Sequence, residues 1–269
     1  MKNTVSGSLF KELLTMVFSY FKIENPHIFP KFSKGVEFYT QYLFLQDQII
    51  DQEIDFIKEG REEEDSTLFY CHQFHQKSIV SLVQVFPKDH EFWEILERKE
   101  KQYFNGLTKE KFLSHTKSTV TLPVFEHLAI SKHILSVVPI RGMFFLGVTQ
   151  LDYEVLEKIF SFIFCGIQML DDLDDFDKDL KSGQWNYIQH EVEKIIVSEG
   201  LMSEKNIGDL EKKVLYAADI AEFALEYSIK KFSEASVLAL DSGLFEINEW
   251  LSQMIKETEH QKKYILSLL

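Results

Sequence analysis

The chain has 269 residues, of which 45% are hydrophobic, and it carries a formal net charge of −14. Such a chain can bury a large core, and its negative charge argues against a basic surface that binds nucleic acid or an anionic membrane. The two cysteines, Cys71 and Cys165, lie far apart in the sequence, which disfavours a disulfide framework and favours a reducing cytoplasm.

Apolar residues recur at helical spacing along most of the chain, whereas the alternation typical of strands is scarce. Five prolines and eleven glycines interrupt this pattern. The sequence therefore predicts an all-α fold with one domain over residues 1–269 and no confident strand. The nine predicted helices are residues 8–21, 36–59, 63–86, 91–104, 124–138, 151–180, 187–198, 209–232 and 246–268, with breaks at residues 26–30, 87, 123, 139 and 181–186.

Acidic residues repeat on the second predicted helix, residues 36–59. Asp47, Asp51 and Asp55 stand at i, i+4 and i+8 and form a first acidic ladder along one side of the helix. The apolar face next to Asp47 consists of Leu43, Ile50, Ile54 and Ile57. We therefore expect part of this ladder to border a core cavity.

The predicted helix 151–180 ends in a denser acidic stretch, with six aspartates between residues 171 and 179. Aspartate has a low helix propensity, and negative charge near a helix C-terminus opposes the helix dipole, so local physics disfavours this composition. Asp171, Asp175 and Asp179 form a second ladder, about 6 Å apart along the axis. Like charges at this spacing repel one another, and hard oxygen ligands favour relief by Mg²⁺ or Mn²⁺.

A solvated helix end is the alternative interpretation of the second ladder, because most acidic runs are exposed. The first ladder lies on a separate predicted helix and favours a shared site instead. We therefore expect the two helices to face each other and to bind common metal ions.

The second ladder resembles the second metal-binding motif of the class I isoprenoid synthases, which include terpene cyclases, squalene and phytoene synthases and trans-prenyl diphosphate synthases. The places of the terpene cyclase motif are occupied in order by Asp171, Asp172, Asp175, Lys178 and Asp179. Read from Gln168, the stretch is equally similar to the second aspartate-rich motif of chain-elongating prenyltransferases. The first motif of the superfamily begins with an aspartate pair, and Asp47 is followed there by Gln48.

The resemblance spans most of the chain and implies a single helical bundle around a central active-site cavity. It implies a magnesium-dependent terpene synthase, a carbon–oxygen lyase that ionises a linear prenyl diphosphate, releases pyrophosphate and leaves an allylic carbocation. The implied ligands of several Mg²⁺ or Mn²⁺ ions are Asp47, Asp51, Asp171, Asp172, Asp175 and Asp179. The implied catalytic residues are Asp47, Asp171, Asp175 and Lys178.

Few arginines are available to bind the substrate diphosphate, because the chain has only three. Lys178 occupies the basic place of the second motif. Arg141 stands between a proline and a glycine, at a predicted helix break where terpene cyclases carry a sensor arginine. Lys263 and Tyr264 resemble the C-terminal Arg-Tyr pair of bacterial terpene cyclases, although lysine lacks the planar fork that binds phosphate oxygens in pairs.

Other reactions of the superfamily match the sequence less well. Chain elongation uses an arginine pair after the first motif, and residues 58–61 offer Arg61 alone. Head-to-head synthases carry Gly-Arg-x-Tyr after the second motif, and residues 183–187 keep the glycine and a tyrosine but lack the arginine. We therefore favour a terpene cyclase over a head-to-head synthase or a chain-elongating prenyltransferase.

Two functions of other kinds also fit the sequence. A noncatalytic helical protein that binds a prenyl chain is favoured by Gln48 and by the shortage of arginines. An all-helical nucleotide pyrophosphohydrolase would also hold a magnesium diphosphate with carboxylates. A homodimer is compatible with the sequence. We predict no signal peptide and no transmembrane segment, since the most apolar run, residues 159–170, is too short to cross a bilayer.

Overall fold

The computed structural model describes residues 12, 15–50, 66–201 and 210–267. Over residues 21–50, 66–201 and 210–267 it contains eleven α-helices and two strands of two residues each, which confirms the all-α prediction. The strands β1 (Lys22–Ile23) and β2 (Gly147–Val148) pair antiparallel. The helices are α1 (Phe29–Ile50), α2 (Thr67–Val83), α3 (Glu91–Thr116), α4 (Leu122–His133), α5 (Val138–Leu146), α6 (Tyr153–Asp174), α7 (Phe176–Ser182), α8 (Tyr187–Ser198), α9 (Leu210–Ala217), α10 (Ile220–Asp241) and α11 (Phe245–Leu266).

Several helix boundaries differ from the predicted ones. The predicted helix 151–180 is divided at Asp175, whose φ of −90° and ψ of 8° separate α6 from α7. The predicted helix 209–232 is divided near Asp219, which has a φ of 58°. The break predicted at Pro139 lies earlier, at the 3₁₀ turn Ile134–Val137. Pro139 itself stands in the first turn of α5, where its missing N–H removes no helical hydrogen bond.

The chain divides into two compact units. Unit 1 takes the described residues of Met1–Tyr20, Arg98–Val138 and Gln150–Leu269, and unit 2 takes those of Phe21–Glu97 and Pro139–Thr149. The prediction of a single domain over the whole chain stays a prediction.

Unit 2 is built on the packing of α1 against α2 and on a cluster of phenylalanine rings. The rings of Phe86 and Phe92 stack with centroids 4.2 Å apart, and Phe32 meets Phe86 edge to face at 5.9 Å. All three side chains are almost fully buried. Offset and edge-to-face pairs of this kind add to the free energy gained from burial, so this cluster forms the core of the unit.

In unit 1, α6 is the central helix of the core. It packs against α4, α8 and α10, and α10 also packs against α11. The Asp152 side chain caps the start of α6 by accepting a hydrogen bond from the Glu154 N–H at 2.8 Å. The buried side chains of its middle turns are Ile159, Phe160, Ile163, Phe164 and Ile167. This apolar anchor fixes the position of the acidic turn that follows.

The helices α6 and α10 approach each other closely at Gly166. A Cβ atom at this position would lie 2.5 Å from the ring of Phe232, which is fully buried. The Ser228 hydroxyl of α10 donates to the Gly166 carbonyl at 3.0 Å. Glycine is a poor helix former, and its place inside α6 is explained by this close approach.

One helical stretch of the described residues, Leu122–Leu146, is long and apolar enough to cross a membrane, with a mean hydropathy of 1.3. Of the most apolar 18 residues of this stretch, 61% are buried inside the protein. Core helices of soluble proteins have the same length and composition, so a single such stretch is weak support for a membrane span. The predicted absence of a transmembrane segment stays a prediction.

Replacing Gly166 with alanine should lower the free energy of unfolding by about 1–3 kcal/mol, because the added methyl group would overlap the Phe232 ring. Urea denaturation followed by circular dichroism measures this change. In a Phe232→Leu background, Gly166→Ala should lower the free energy of unfolding by less, since the smaller leucine side chain leaves room for the methyl group. An equal cost in both backgrounds would contradict the steric explanation.

Candidate functional site

The second acidic ladder lies at the junction of α6 and α7. Asp171 is in the last turn of α6, Asp175 separates the two helices, and Asp179 is in α7. The Asp175 N–H donates to the Asp171 carbonyl at 2.9 Å, and the Asp179 N–H donates to the Asp175 carbonyl at 2.8 Å. These hydrogen bonds continue the i to i+4 pattern across the break, so the three aspartates stay on successive turns as predicted.

The six aspartates of this stretch do not all serve one site. Asp177 forms an ion pair with Lys212 at 2.6 Å, on the side of α9. Asp174 accepts a hydrogen bond from the Gln261 amide of α11 at 3.1 Å. The remaining four form what we call the acidic cluster: Asp171, Asp172, Asp175 and Asp179.

The acidic cluster is electrostatically unfavourable in the absence of a ligand. Burial, together with repulsion from neighbouring aspartates, raises the pKa of Asp171 to about 7. Burial and repulsion from Asp175 raise the pKa of Asp179 to about 6. Asp172, whose exposed fraction is 7%, also has a pKa well above its usual range because of burial. Groups with pKa values shifted in this way are concentrated in functional sites.

Lys132, at the C-terminal end of α4, supplies positive charge to the acidic cluster. Its charge lowers the pKa of Asp171, Asp172 and Asp179, in opposition to burial. Its ammonium group donates to the Glu110 carboxylate of α3 at 3.1 Å, and both side chains are largely buried. Lys132 and Glu110 were not predicted from the sequence, because neither belongs to an acidic run or to the motif.

Asn186 connects the acidic cluster to the start of α8. Its amide group donates to Asp179 Oδ2 at 3.1 Å, and its side-chain oxygen accepts from the Gln189 N–H at 3.0 Å. The preceding Gln184 donates to Glu110 at 2.8 Å. The segment after α7 is therefore held by side-chain hydrogen bonds to Asp179 and to Glu110.

Lys178, the predicted basic residue of the motif, lies at the edge of the cluster. Its ammonium group is 3.6 Å from Asp175 Oδ2, and the two side chains are 61% and 54% exposed. An ion pair this exposed contributes little to stability. Lys178 is placed beside the acidic cluster, and its role towards a diphosphate stays a prediction.

The donor set of the acidic cluster consists of hard carboxylate oxygens, which suits Mg²⁺ or Mn²⁺ in chemical type. Within the described residues, no group of three or more His, Cys, Asp and Glu side chains is arranged to hold a metal ion. The chemistry of the donors therefore fits a divalent cation, and the prediction of several such ions stays a prediction.

Two predicted site residues belong to unit 2. Asp47 lies in the last turns of α1 and is exposed. Arg141 lies inside α5, one turn beyond the irregular 3₁₀ turn, and its guanidinium group is 5.0 Å from the centroid of the Phe145 ring. Asp51, Asp55 and residues 58–61 lie outside the described residues. The expected sharing of metal ions between the two ladders stays a prediction.

The predicted C-terminal pair, Lys263 and Tyr264, lies near the end of α11. Tyr264 is 61% exposed and lines a shallow groove of about 450 Å³ together with His260 and Glu257. The structure therefore gives Tyr264 a surface position, and its predicted contact with a diphosphate stays a prediction.

Comparison with known proteins adds no family assignment. No protein-family model matches the chain, and no curated protein sequence matches it.

The contribution of Asp171 to the stability of the metal-free protein should fall as the pH rises. The pKa of Asp171 is raised from 3.8 to about 7 on folding, so its contribution to stability is fully present below pH 3.8 and is lost as the pH rises through about 7. Asp171→Asn should therefore be more stable than the unchanged protein at pH 8, by on the order of 1–2 kcal/mol, and should show no gain at acid pH.

Urea denaturation in the presence of a chelator, between pH 4 and pH 8, measures this difference. Asp241→Asn, which removes an exposed carboxylate from the end of α10, is the control. A constant effect of Asp171→Asn at all pH values would show that its carboxylate is not strained by its surroundings.

Replacing Asn186 with aspartate should separate the two functions of this side chain. Aspartate caps a helix as well as asparagine does, but it would face Asp179 with a second negative charge. We expect Asn186→Asp to be less stable than Asn186→Ser by about 1 kcal/mol at pH 8. This difference should shrink below pH 6, where Asp179 becomes protonated. Thermal unfolding over this pH range tests the contact, and a difference independent of pH would contradict it.

Proposed function

We propose that this protein is a magnesium-dependent class I terpene synthase, which ionises a linear prenyl diphosphate and converts the resulting allylic carbocation to a terpene. The observation that carries the proposal is the acidic cluster. Its four carboxylates lie at the junction of two helices, three of them have raised pKa values, and together they match the second metal-binding motif of the superfamily.

A purely structural role does not explain the acidic cluster well. Aspartates in the last turn of α6 oppose the helix dipole, and repulsion among them destabilises the folded state. Packing of unit 1 would be served better by neutral side chains at these positions. Ligand binding offers a reason for the cluster, because a bound cation turns the unfavourable charges into favourable ones.

Asp171, Asp172, Asp175 and Asp179 would hold the metal ions in unit 1, and Asp47 and Asp51 are the proposed ligands from the first ladder. The ions, when bound, draw negative charge away from the diphosphate leaving group. Through these ions the carboxylates would orient the bound diphosphate. No proton transfer is required for the carbon–oxygen bond to break in this reaction class.

Lys132 is the best-placed donor for a diphosphate in unit 1. It is largely buried and already faces three carboxylates, so its charge does not have to be brought in from solvent. A positive group fixed at such a place stabilises charge that develops on a leaving group more strongly than an exposed one does. Lys178, Arg141, Lys263 and Tyr264 remain the proposed donors from the motif comparison.

The segment after α7 favours cyclisation over head-to-head condensation. Gln184 stands where head-to-head synthases carry an arginine, and its amide donates to Glu110 at 2.8 Å. A neutral side chain engaged in this way does not add a positive charge for a second diphosphate. A noncatalytic prenyl-binding protein is the second candidate, favoured by the lack of a convergent group of three metal-binding side chains among the described residues.

Pyrophosphate release from geranyl, farnesyl and geranylgeranyl diphosphates, with and without Mg²⁺, tests the proposal. Release that requires Mg²⁺, together with hydrocarbon or alcohol products in gas chromatography, is expected for a terpene synthase. Absence of release from all three substrates would favour the noncatalytic protein. Hydrolysis of nucleoside triphosphates instead would assign the protein to the pyrophosphohydrolases.

Asp171→Ala and Asp175→Ala should each reduce pyrophosphate release at least ~100-fold while helix content stays the same, because the lost carboxylates act on the ligand and contribute little to folding. Asp177→Ala is the matched control, since Asp177 belongs to the same acidic run but pairs with Lys212. Full activity in both cluster variants, or an equal loss in the control, would overturn the assignment of the site.

A further inference from the structure

A continuous chain of hydrogen bonds runs from the end of α4 to the acidic cluster. His133 Nε2 lies 3.3 Å from Gln168 Oε1, and Gln168 Nε2 donates to Asp172 Oδ1 at 2.7 Å. Gln168 and Asp172 are almost completely buried, with exposed fractions of 9% and 7%. His133 is therefore connected to the acidic cluster through the side chain of Gln168.

The direction of each hydrogen bond follows from the chemistry of the groups. In the structure the NH₂ group of Gln168 faces Asp172 Oδ1, which accepts the hydrogen bond. The amide oxygen then faces His133, and the imidazole must donate to it through Nε2–H. A neutral imidazole carries one N–H, and the chain of contacts assigns that proton to Nε2.

The surroundings of His133 hold the imidazole in this position. Its ring packs against that of Phe164 with centroids 5.3 Å apart. The Ser136 hydroxyl donates to the His133 carbonyl at 2.7 Å and so fixes the backbone where α4 passes into the 3₁₀ turn. Burial lowers the pKa of His133 to about 4, so the ring is neutral at pH 7.

We propose that His133 is a positioning residue for the cation site, which acts through the Gln168 amide to fix the orientation of the Asp172 carboxylate. This inference rests on the proposed function and extends it to a residue outside the acidic motif. An amide has nearly the same shape when it is rotated by half a turn. Without a donor at position 133, the Gln168 amide can rotate and turn its oxygen towards Asp172. This rotation removes the hydrogen bond from the Gln168 NH₂ group to Asp172 Oδ1 and brings two oxygen atoms that repel each other together.

Three variants separate the hydrogen bond from the packing of the ring. His133→Phe keeps an aromatic ring against Phe164 but removes the donor. His133→Gln keeps an N–H donor at a similar distance from the backbone. His127→Phe is the matched control, because it makes the same change at an exposed position of α4.

The first measurement is the affinity of the metal-free protein for Mn²⁺ alone, followed by electron paramagnetic resonance. Hydrogen-bond partners of metal ligands typically change metal affinity about 10- to 100-fold, and we expect a loss of this size in His133→Phe. His133→Gln should recover most of the affinity, and His127→Phe should bind as the unchanged protein does. Equal affinities in His133→Phe and His127→Phe would overturn the proposal.

The second measurement does not depend on the proposed function. Nitrogen-15 resonances of the imidazole report its tautomer, and we expect the proton of His133 on Nε2. The carbon-13 resonance of the Asp172 carboxyl group should shift in His133→Phe and stay unchanged in His127→Phe. A proton on Nδ1, or an Asp172 resonance that does not respond to His133→Phe, would overturn the relay.

The two measurements also distinguish the failure of the relay from the failure of the proposed function. If the unchanged protein binds no Mn²⁺ and releases no pyrophosphate, the proposed function is lost. The tautomer of His133 and the response of the Asp172 resonance then decide by themselves whether His133 orients this carboxylate.

Discussion

The burial of neighbouring carboxylates, with the repulsion among them, is the constraint on which the arrangement of the acidic cluster depends. At the junction of α6 and α7, burial together with repulsion from neighbouring aspartates raises the pKa of Asp171 to about 7 and that of Asp179 to about 6. Each compensating group comes from a different part of the chain: Lys132 ends α4, Gln168 lies one turn before the cluster in α6, and Asn186 begins α8. The polar neighbours limit the repulsion without removing it.

The apolar half of α6 offsets the free-energy cost of burying these carboxylates. Phe160, Ile163 and Phe164 are almost fully buried, and each such side chain contributes about 1.5–3 kcal/mol relative to an exposed one. The helix is therefore held by its middle turns, and its last turn does not have to be stable by itself. A carboxylate in a rigid, partly dry place keeps its orientation when a ligand is absent, which is the condition for preorganised electrostatics.

Local features of the site were predictable from the sequence, and non-local ones were not. The spacing of Asp171, Asp175 and Asp179 follows from helix geometry alone, and the hydrogen bonds between their backbones keep this spacing across the break. The break itself was missed, because a residue such as Asp175 is compatible with both a helix and its end. His133 could not be assigned, since its partner Gln168 lies 35 residues away in the sequence and only packing of α4 against α6 brings the two together. Lys132 could not be assigned either, since its partner Glu110 lies 22 residues away on α3. Asp51 was predicted with the first ladder and lies outside the described residues.

The close approach at Gly166 also limits how the site can move. The Phe232 ring fits into the notch left by the missing side chain, so a small slide of α6 along α10 would drive the ring into the backbone of α6. Packed helices of this kind change register by whole turns or stay where they are. This contact therefore holds α6 in one register against α10 and fixes the backbone that carries Asp171 and Asp172.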